Sequence, residues 1–143
     1  IIAQCAPDKA SALKDLGADR TVNRTDDLVG IFGENSVDAV VDLVGGSSWP
    51  QLLDILKPGG KYVASGAIAG PIVDLDLRSL YLKDLTLFGS TVHDPYVFEN
   101  VIRCIEEGQI KPLVAQSFPL KEIHQAQTVF MEKKFIGKLV LIP

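Results

Sequence analysis

Glycine residues end three apolar segments of this 143-residue chain, and their spacing is the feature that most directly suggests a binding site. Gly45-Gly46, Gly66 and Gly89 each follow a segment with the composition of a β-strand. In open parallel α/β sheets, ligands bind outside the carboxyl ends of the strands, and glycine lets a flat ligand approach the backbone. Strand-to-helix turns also require glycine, so each position alone is ambiguous and only the series favours a site.

Side chains that could bind a metal ion or act as nucleophiles are scattered along the chain. Cys5, His93, Cys104 and His124 are far apart in sequence, whereas zinc sites draw on closely spaced Cys and His ligands. No Ser–His–Asp arrangement and no pair of carboxylates stands out. We therefore predict no metal ligand and no catalytic residue within these 143 residues.

The composition is typical of a soluble globular domain, with 47% apolar and 22% charged residues. The formal charge of 14 − 18 = −4 argues against nucleic acid or an anionic membrane surface as a partner. No apolar run approaches the roughly 18 residues of a membrane span. Two cysteines are too few for a disulfide framework, which favours a reducing cytoplasmic compartment.

Short apolar runs alternate with segments of helical periodicity. The pattern predicts strands at residues 1–5, 21–23, 37–44, 61–65, 85–88, 112–115 and 138–142, with helices or helical turns between most of them. The almost continuously apolar run at 37–44 is typical of a central parallel strand covered on both faces. Such alternation predicts right-handed crossovers on a parallel sheet, the doubly wound α/β class. The elements after Gly108 break the strict alternation.

Two helices have clear apolar faces. Trp49, Leu52, Leu53 and Leu56 follow helical spacing, and the Pro58-Gly59-Gly60 segment is expected to end that helix. The second helix is predicted to begin with Asp94 as its cap and Pro95 in the first turn, and to end at Gly108. One face of this helix is predicted to be lined by Phe98, Val101, Ile102 and Ile105.

The order of several short motifs indicates a family. The chain contains LGAD at residues 16–19, VDAVVDLVG at 37–45, LKPGG at 56–60, SG at 65–66, LTLFGS at 85–90, FPL at 118–120 and GKLV at 137–140. This series closely resembles the cofactor-binding and C-terminal part of the medium-chain dehydrogenase/reductase superfamily, which includes zinc-type alcohol dehydrogenases and quinone oxidoreductases. The resemblance covers essentially all 143 residues.

The resemblance implies that Ile1 corresponds to the second strand of the family's dinucleotide-binding fold. The sequence has no G-x-G-x-x-G motif, so the expected fold is a Rossmann-like doubly wound parallel sheet lacking its first strand and glycine-rich turn. Residues 1–108 are expected to form a partial dinucleotide-binding domain. Residues 109–143 are expected to form a strand–helix–strand segment that in the family returns to the catalytic domain. The chain is therefore interpreted as a fragment of an enzyme.

Cofactor choice is inferred at the end of the first strand. Family members that prefer NAD have an acidic residue there, whereas this sequence has Cys5, and Lys9 and Arg24 resemble positions that hold the 2′-phosphate of NADPH. NADP(H) is therefore favoured over NAD(H). The alternative is that both cations are ordinary solvated charges.

The remaining site residues also come from the resemblance. Leu43 and Val44 are expected near the nicotinamide ribose, and Ser65, Gly66 and Ala67 near the carboxamide, with Gly45 as a further cofactor-binding residue. The resemblance places Ser90 and Thr91 at the end of the last sheet strand and Lys138 near the pyrophosphate. The alternative for Lys138 is a surface lysine that flanks a strand.

The implied activity is hydride transfer between NAD(P)H and an alcohol or carbonyl, or a quinone or enone, with the substrate bound mainly by the missing N-terminal part. The resemblance further implies a homodimer that pairs near residues 85–91. Two alternatives stay open. One is an S-adenosylmethionine-dependent methyltransferase, which would need a C-terminal antiparallel hairpin, and the other is a nucleotide-binding relative without turnover.

Overall fold

A computed structural model describes residues 1–143, which form two compact units, Ile1–Val92 and His93–Pro143. The first unit contains β1 (Ile2–Cys5), α1 (Ala10–Asp15), β2 (Arg20–Asn23), α2 (Leu28–Phe32), β3 (Val37–Asp42), α3 (Trp49–Asp54), β4 (Leu56–Ala64), α4 (Leu77–Leu82) and β5 (Thr86–Gly89). The second contains α5 (Pro95–Glu106), β6 (Val114–Pro119), α6 (Ile123–Glu132) and β7 (Lys138–Ile142). The alternation predicted from the sequence is thus confirmed, while the domain boundary after Gly108 stays a prediction.

Every strand pair is parallel, which confirms the predicted α/β class. In the first unit β1 pairs with β2, and β4 lies between β3 and β5 in a separate three-stranded sheet. Asp42 is opposite Ala64, and Ala64 is opposite Gly89, so β3, β4 and β5 end at the same level. This register brings the loops that follow the three strands to one edge.

A groove of about 310 Å³ lies between β1 and β3 in the first unit. Residues of both strands line it, including Ile2, Ala3 and Gln4 from β1 and Ala39, Val40 and Val41 from β3. The doubly wound fold has the strand order 3-2-1-4-5-6. If β2 and β1 take positions 3 and 2, and β3, β4 and β5 take positions 4, 5 and 6, the position of strand 1 is open between β1 and β3. The groove therefore lies between the two sheets at the position of the first strand in that order.

The prediction that β3 is a central strand covered on both faces is wrong. Val41 is 72% exposed, and Leu43, just beyond the strand, is 60% exposed. The reason is the topology: β3 is the outer strand of its sheet, so one side of it borders the groove. The regular strand also stops at Asp42, before Leu43 and Val44.

The core of the first unit consists of two clusters joined by α3 and the chain that follows it. Leu53, Leu56, Tyr62 and Leu85 form the first, in which Leu56 is completely buried. The second contains Val22, Leu28 and Ile55. Burying each large apolar side chain contributes about 1.5–3 kcal/mol, so these clusters hold the helices and strands in place.

The predicted extent of α3 is wrong at its carboxyl end. The helix ends at Asp54 and β4 already begins at Leu56, although Leu56 has the spacing of the helical face. A bulge between Val37 and Ala39 in the pairing of β3 with β4 takes up the extra residues of the LKPGG segment. Lys83 Nζ donates hydrogen bonds to the carbonyls of Leu53 (3.0 Å), Asp54 (2.8 Å) and Leu56 (3.1 Å), which caps the helix end.

The second unit confirms the predicted helix α5, and three residues of its apolar face are exposed. Phe98 is 57% exposed, Val101 41% and Ile102 40%. The small sheet of β6 and β7 is covered by α6, whose Ala126 is buried. β6 and β7 are parallel, so the antiparallel hairpin required by the methyltransferase alternative does not form. None of the helices combines the length and the apolar composition that crossing a bilayer requires.

Candidate functional site

The loops that follow β3, β4 and β5 meet at one edge of the three-stranded sheet. The Ser65 N–H donates to the Asp42 carbonyl at 2.8 Å, and the Ser90 N–H donates to the Ala64 carbonyl at 2.9 Å. These bonds continue the strand pairing into the loops. The edge brings together eight residues predicted from the sequence: Leu43, Val44, Gly45, Ser65, Gly66, Ala67, Ser90 and Thr91. We call this set the strand-end surface.

The glycines at this edge are explained first by the packing of the loops on one another. A Cβ atom on Gly66 would lie 2.6 Å from the Leu43 carbonyl oxygen. Gly45 has a φ of +64°, and a Cβ atom on it would lie 2.8 Å from the Gly70 carbonyl oxygen. A Cβ atom on Gly89 would have no neighbour within 4 Å. Gly45 and Gly66 therefore build the surface, and the free space lies at Gly89.

The strand-end surface has the chemistry of a binding site for a flat ring with one polar edge. Leu43 is 60% exposed and Val44 40% exposed, so their side chains are available for apolar contact. Ser65, Ser90 and Thr91 are exposed and supply hydroxyl groups. None of the eight side chains titrates near neutral pH. The surface can therefore bind and orient a ligand, but it offers no general acid or base.

Sequence reasoning missed Asp42, the only buried charged residue of the structure. Its Oδ1 accepts hydrogen bonds from the Val44 N–H at 2.7 Å and from the Gly45 N–H at 3.0 Å. Its Oδ2 accepts from the Tyr62 hydroxyl and, at 3.2 Å, from the Gly45 N–H. The signal in the sequence was an aspartate that ends an apolar strand and lies three residues before Gly45.

Burial and hydrogen bonding together set the pKa values of this pair. Burial by itself would raise the pKa of Asp42, but the hydrogen bonds from Tyr62, Val44 and Gly45 outweigh it and hold the pKa below its usual range. Burial and the neighbouring Asp42 carboxylate raise the pKa of the Tyr62 hydroxyl. At neutral pH the pair is therefore a carboxylate that accepts a hydrogen bond from a neutral phenol.

A second group of predicted residues lies at the carboxyl ends of β1 and β2. Cys5 is opposite Asn23, so Arg24, the next residue, lies beyond the same end of the two-stranded sheet. Cys5 is buried and Arg24 is exposed, while Lys9 is half-buried at the end of a 3-10 turn that begins at Pro7. A cleft of about 210 Å³ borders Cys5 and also contains Asp26, whose carboxylate accepts the Asn23 N–H at 2.7 Å.

Lys138 belongs to the second unit. It begins β7, it is exposed, and its backbone N–H donates to the Leu113 carbonyl at 2.8 Å. Its predicted role at the pyrophosphate stays a prediction from the sequence.

The structure contains no group of three or more His, Cys, Asp or Glu side chains placed to hold a metal ion. Cys5 and Cys104 are both free thiols. The donor set of these residues does not fit a zinc site, and we assign zinc no role in this chain.

Comparisons with known proteins give a consistent result. The family model described as "Zinc-binding dehydrogenase" matches residues 16–141. An acryloyl-coenzyme A reductase of Sulfurisphaera tokodaii is 30% identical over 108 residues, which is 75% of this chain and 32% of that protein. An NAD-dependent alcohol dehydrogenase of Saccharolobus solfataricus is 30% identical over 141 residues, covering 92% of this chain and 40% of that protein.

The solved structures that resemble this chain include alcohol dehydrogenases. A Sinorhizobium meliloti protein described as an alcohol dehydrogenase is 46% identical, with a TM-score of 0.86 over 99% of this chain and 41% of its own. A thermostable alcohol dehydrogenase of Pyrobaculum aerophilum, solved with cobalt and zinc, is 30% identical with a TM-score of 0.80 over 99% of this chain and 42% of its own. The chain therefore spans less than half the length of the relatives it matches.

Proposed function

The chain belongs to the zinc-binding dehydrogenase family, and on that premise we propose that it is the cofactor-binding part of a nicotinamide-dependent oxidoreductase. The observation that carries the proposal is the strand-end surface, where the loops after three parallel strands present apolar side chains beside hydroxyl groups. When bound, the cofactor supplies hydride exchange with an alcohol or carbonyl, or with a quinone or enone. The residues of this chain bind and orient it.

Leu43 and Val44 are the apolar contacts in this proposal, next to the nicotinamide ribose. Ser65, Gly66 and Ala67 face the carboxamide, which needs hydrogen-bond donors and acceptors along one side. Ser90 and Thr91 extend the same surface past the end of β5. The hydroxyl groups and exposed backbone satisfy the polar side of the ring, while the apolar side chains exclude water from it.

We propose NADPH rather than NADH as the preferred cofactor. Support comes from Cys5 in place of a carboxylate and from Lys9 and Arg24, which follow the carboxyl ends of β1 and β2. A carboxylate at the Cys5 position would repel a 2′-phosphate, whereas cations form charge-assisted hydrogen bonds with it. The relatives do not decide this point, because one of them is described as NAD-dependent.

The substrate and the oligomeric state belong to the full-length protein. We propose that parts of that protein outside this chain bind most of the substrate. We also propose a homodimer that pairs along β5, the outer strand of its sheet, where Phe88 is 48% exposed and the edge is open to pairing. A monomer in sedimentation experiments would contradict the homodimer. A cytoplasmic location stays a prediction from the composition.

Replacing Leu43 with aspartate tests the proposed site. The side chain is 60% exposed, so the substitution should leave the fold intact but place a carboxylate against the nicotinamide end of the cofactor. In the full-length protein, we expect the Kd for NADPH to rise about tenfold or more. The measurement is a fluorescence titration with NADPH.

Leu82→Asp is the matched control, because Leu82 is 69% exposed at the end of α4, away from the strand-end surface. It should bind NADPH like the wild type. Equal Kd values for Leu43→Asp and Leu82→Asp would contradict the proposed site. A hydride-transfer assay of the full-length protein then separates the enzyme from a relative that binds without turnover.

A further inference from the structure

The Asp42 carboxylate connects the core of the first unit to the turn that forms part of the strand-end surface. On the core side it accepts the hydroxyl of Tyr62, which is 2% exposed. On the surface side it accepts the N–H groups of Val44 and Gly45. All of these donors converge on one buried side chain, so a movement of the carboxylate would move the turn.

Tyr62 is itself held rigidly. It lies in β4 opposite Val40 and belongs to the buried cluster with Leu53 and Leu56. The Trp49 ring packs against it edge-on, with ring centroids 4.8 Å apart. A phenol ring packed on several sides holds its hydroxyl oxygen in a fixed position. The hydroxyl therefore defines the position of Asp42 Oδ2.

The turn after Asp42 needs such a support because its backbone is unusual. Gly45 has φ +64° and ψ −153°, and Gly46 also has a positive φ of +75°. The Val44 carbonyl accepts the Ala69 N–H at 2.8 Å, and the Gly46 N–H donates to the Gly70 carbonyl at 3.1 Å. The Val44 and Gly45 N–H groups bond to Asp42, so the carboxylate is what orients the part of the turn between Leu43 and Gly45.

Burying a carboxylate is costly unless its oxygens are satisfied by hydrogen bonds. The core around Tyr62 is otherwise apolar, and an apolar residue at position 42 would extend the apolar run of β3. The sequence nevertheless has a charged group there, and three of its four hydrogen bonds to protein go to the turn. The hydrogen bonds of Asp42 therefore stabilise the conformation of the turn more than they contribute to the packing of the core.

We propose that Asp42 and Tyr62 are positioning residues that fix the Leu43–Gly46 turn in the form that receives the nicotinamide end of the cofactor. The inference rests on the proposed function. Neither residue is assigned contact with the ligand: Asp42 acts through Val44 and Gly45, and Tyr62 acts through Asp42.

The test uses three variants of the isotope-labelled chain. Asp42→Ala removes the carboxylate oxygens that accept the Val44 and Gly45 N–H groups. Asp42→Asn keeps a carbonyl oxygen for the Val44 and Gly45 N–H groups and an amide that can donate to the Tyr62 oxygen. Tyr62→Phe removes only the hydroxyl and keeps the ring. Two readouts are followed by NMR: the hydrogen exchange of the Val44 and Gly45 amides, and the NADPH concentration that saturates shifts at residues 43–46.

For Asp42→Ala, we expect both amides to exchange about tenfold faster or more, and NADPH affinity to fall about tenfold, as the loss of hydrogen bonds to a charged group predicts. Asp42→Asn should restore both readouts to within about threefold of the wild type. Tyr62→Phe should give a smaller change in the same direction. Asp38→Ala is the control, because Asp38 is an exposed carboxylate in the same strand.

A folded Asp42→Ala chain that binds NADPH like the wild type overturns the inference. If Asp42→Ala does not fold, Tyr62→Phe decides instead, and unchanged exchange and affinity in that variant overturn it. A purely structural role would change the free energy of unfolding and leave the affinity of the folded chain unchanged. Failure of the proposed function is distinct: the wild-type chain itself would then show no NADPH shifts at the strand-end surface.

Discussion

Lys9 and Arg24 are the residues that carry the proposed preference for NADPH. Both follow strands whose carboxyl ends are adjacent, because Cys5 pairs with Asn23. A carboxylate, Asp26, also lines the neighbouring cleft and accepts a hydrogen bond from the Asn23 N–H. Lys9 and Arg24 are therefore the proposed source of positive charge for a phosphate at this end of the sheet.

Replacing both cations with alanine should weaken the binding of NADPH and leave that of NADH almost unchanged. In the full-length protein, we expect the Kd for NADPH to rise about tenfold with Lys9→Ala and Arg24→Ala combined, because only NADPH has the 2′-phosphate that the two cations are proposed to contact. Titrations with each cofactor measure the effect.

The charge-matched control combines Lys14→Ala and Lys121→Ala, two exposed lysines elsewhere in the chain. It separates a specific contact from the general effect of two lost positive charges. If NADH weakens as much as NADPH in the Lys9 and Arg24 variant, or if the wild type binds NADH more tightly, the preference is refuted.

Some residues of the candidate site could be predicted from the sequence, and others could not. The glycines of the strand-end surface could be identified because they follow recognisable strands, whereas its hydroxyl residues were identified through the family resemblance. Asp42 and Tyr62 are 20 residues apart, and only the register of β3 with β4 brings them together. A hydrogen bond that depends on pairing between strands leaves no periodic signal in the sequence.

At the scale of elements, the identity of helices and strands follows from local pattern, but their ends depend on distant groups. The carboxyl end of α3 is fixed by Lys83, which lies almost 30 residues further along the chain. The LKPGG segment was expected to be a turn, and it became the start of β4 because a bulge absorbs it.

The contact between the loops after β3 and β4 gives a prediction at this scale. Gly66→Ala would place a Cβ atom 2.6 Å from the Leu43 carbonyl oxygen, a backbone atom that can retreat only if the loop moves. We expect the free energy of unfolding to fall by about 1–3 kcal/mol. Urea unfolding followed by circular dichroism measures it.

Gly89→Ala is the matched substitution, because Gly89 also ends a strand and its Cβ would meet no atom within 4 Å. Its effect should stay within about 0.5 kcal/mol of the wild type. If Gly66→Ala and Gly89→Ala lower the free energy of unfolding by similar amounts, the loops after β3 and β4 are not in close contact.

At the scale of the whole molecule, alternation and motif order predicted the α/β class and the family. What they did not predict is how much apolar surface stays exposed. Val41 and Leu43 were expected to be covered, yet β3 borders a groove of about 310 Å³. Burial depends on the neighbours that a strand receives, and composition does not specify them.

The central claim is that the strand-end surface binds a nicotinamide dinucleotide, and a titration of the isotope-labelled chain with NADPH tests it most directly. We expect shifts of the backbone amides at residues 43–45, 65–67 and 90–91 that saturate at millimolar NADPH, because the chain lacks the glycine-rich turn for the pyrophosphate. A well-dispersed spectrum that stays unchanged at these residues, or that shifts only elsewhere, would contradict the account.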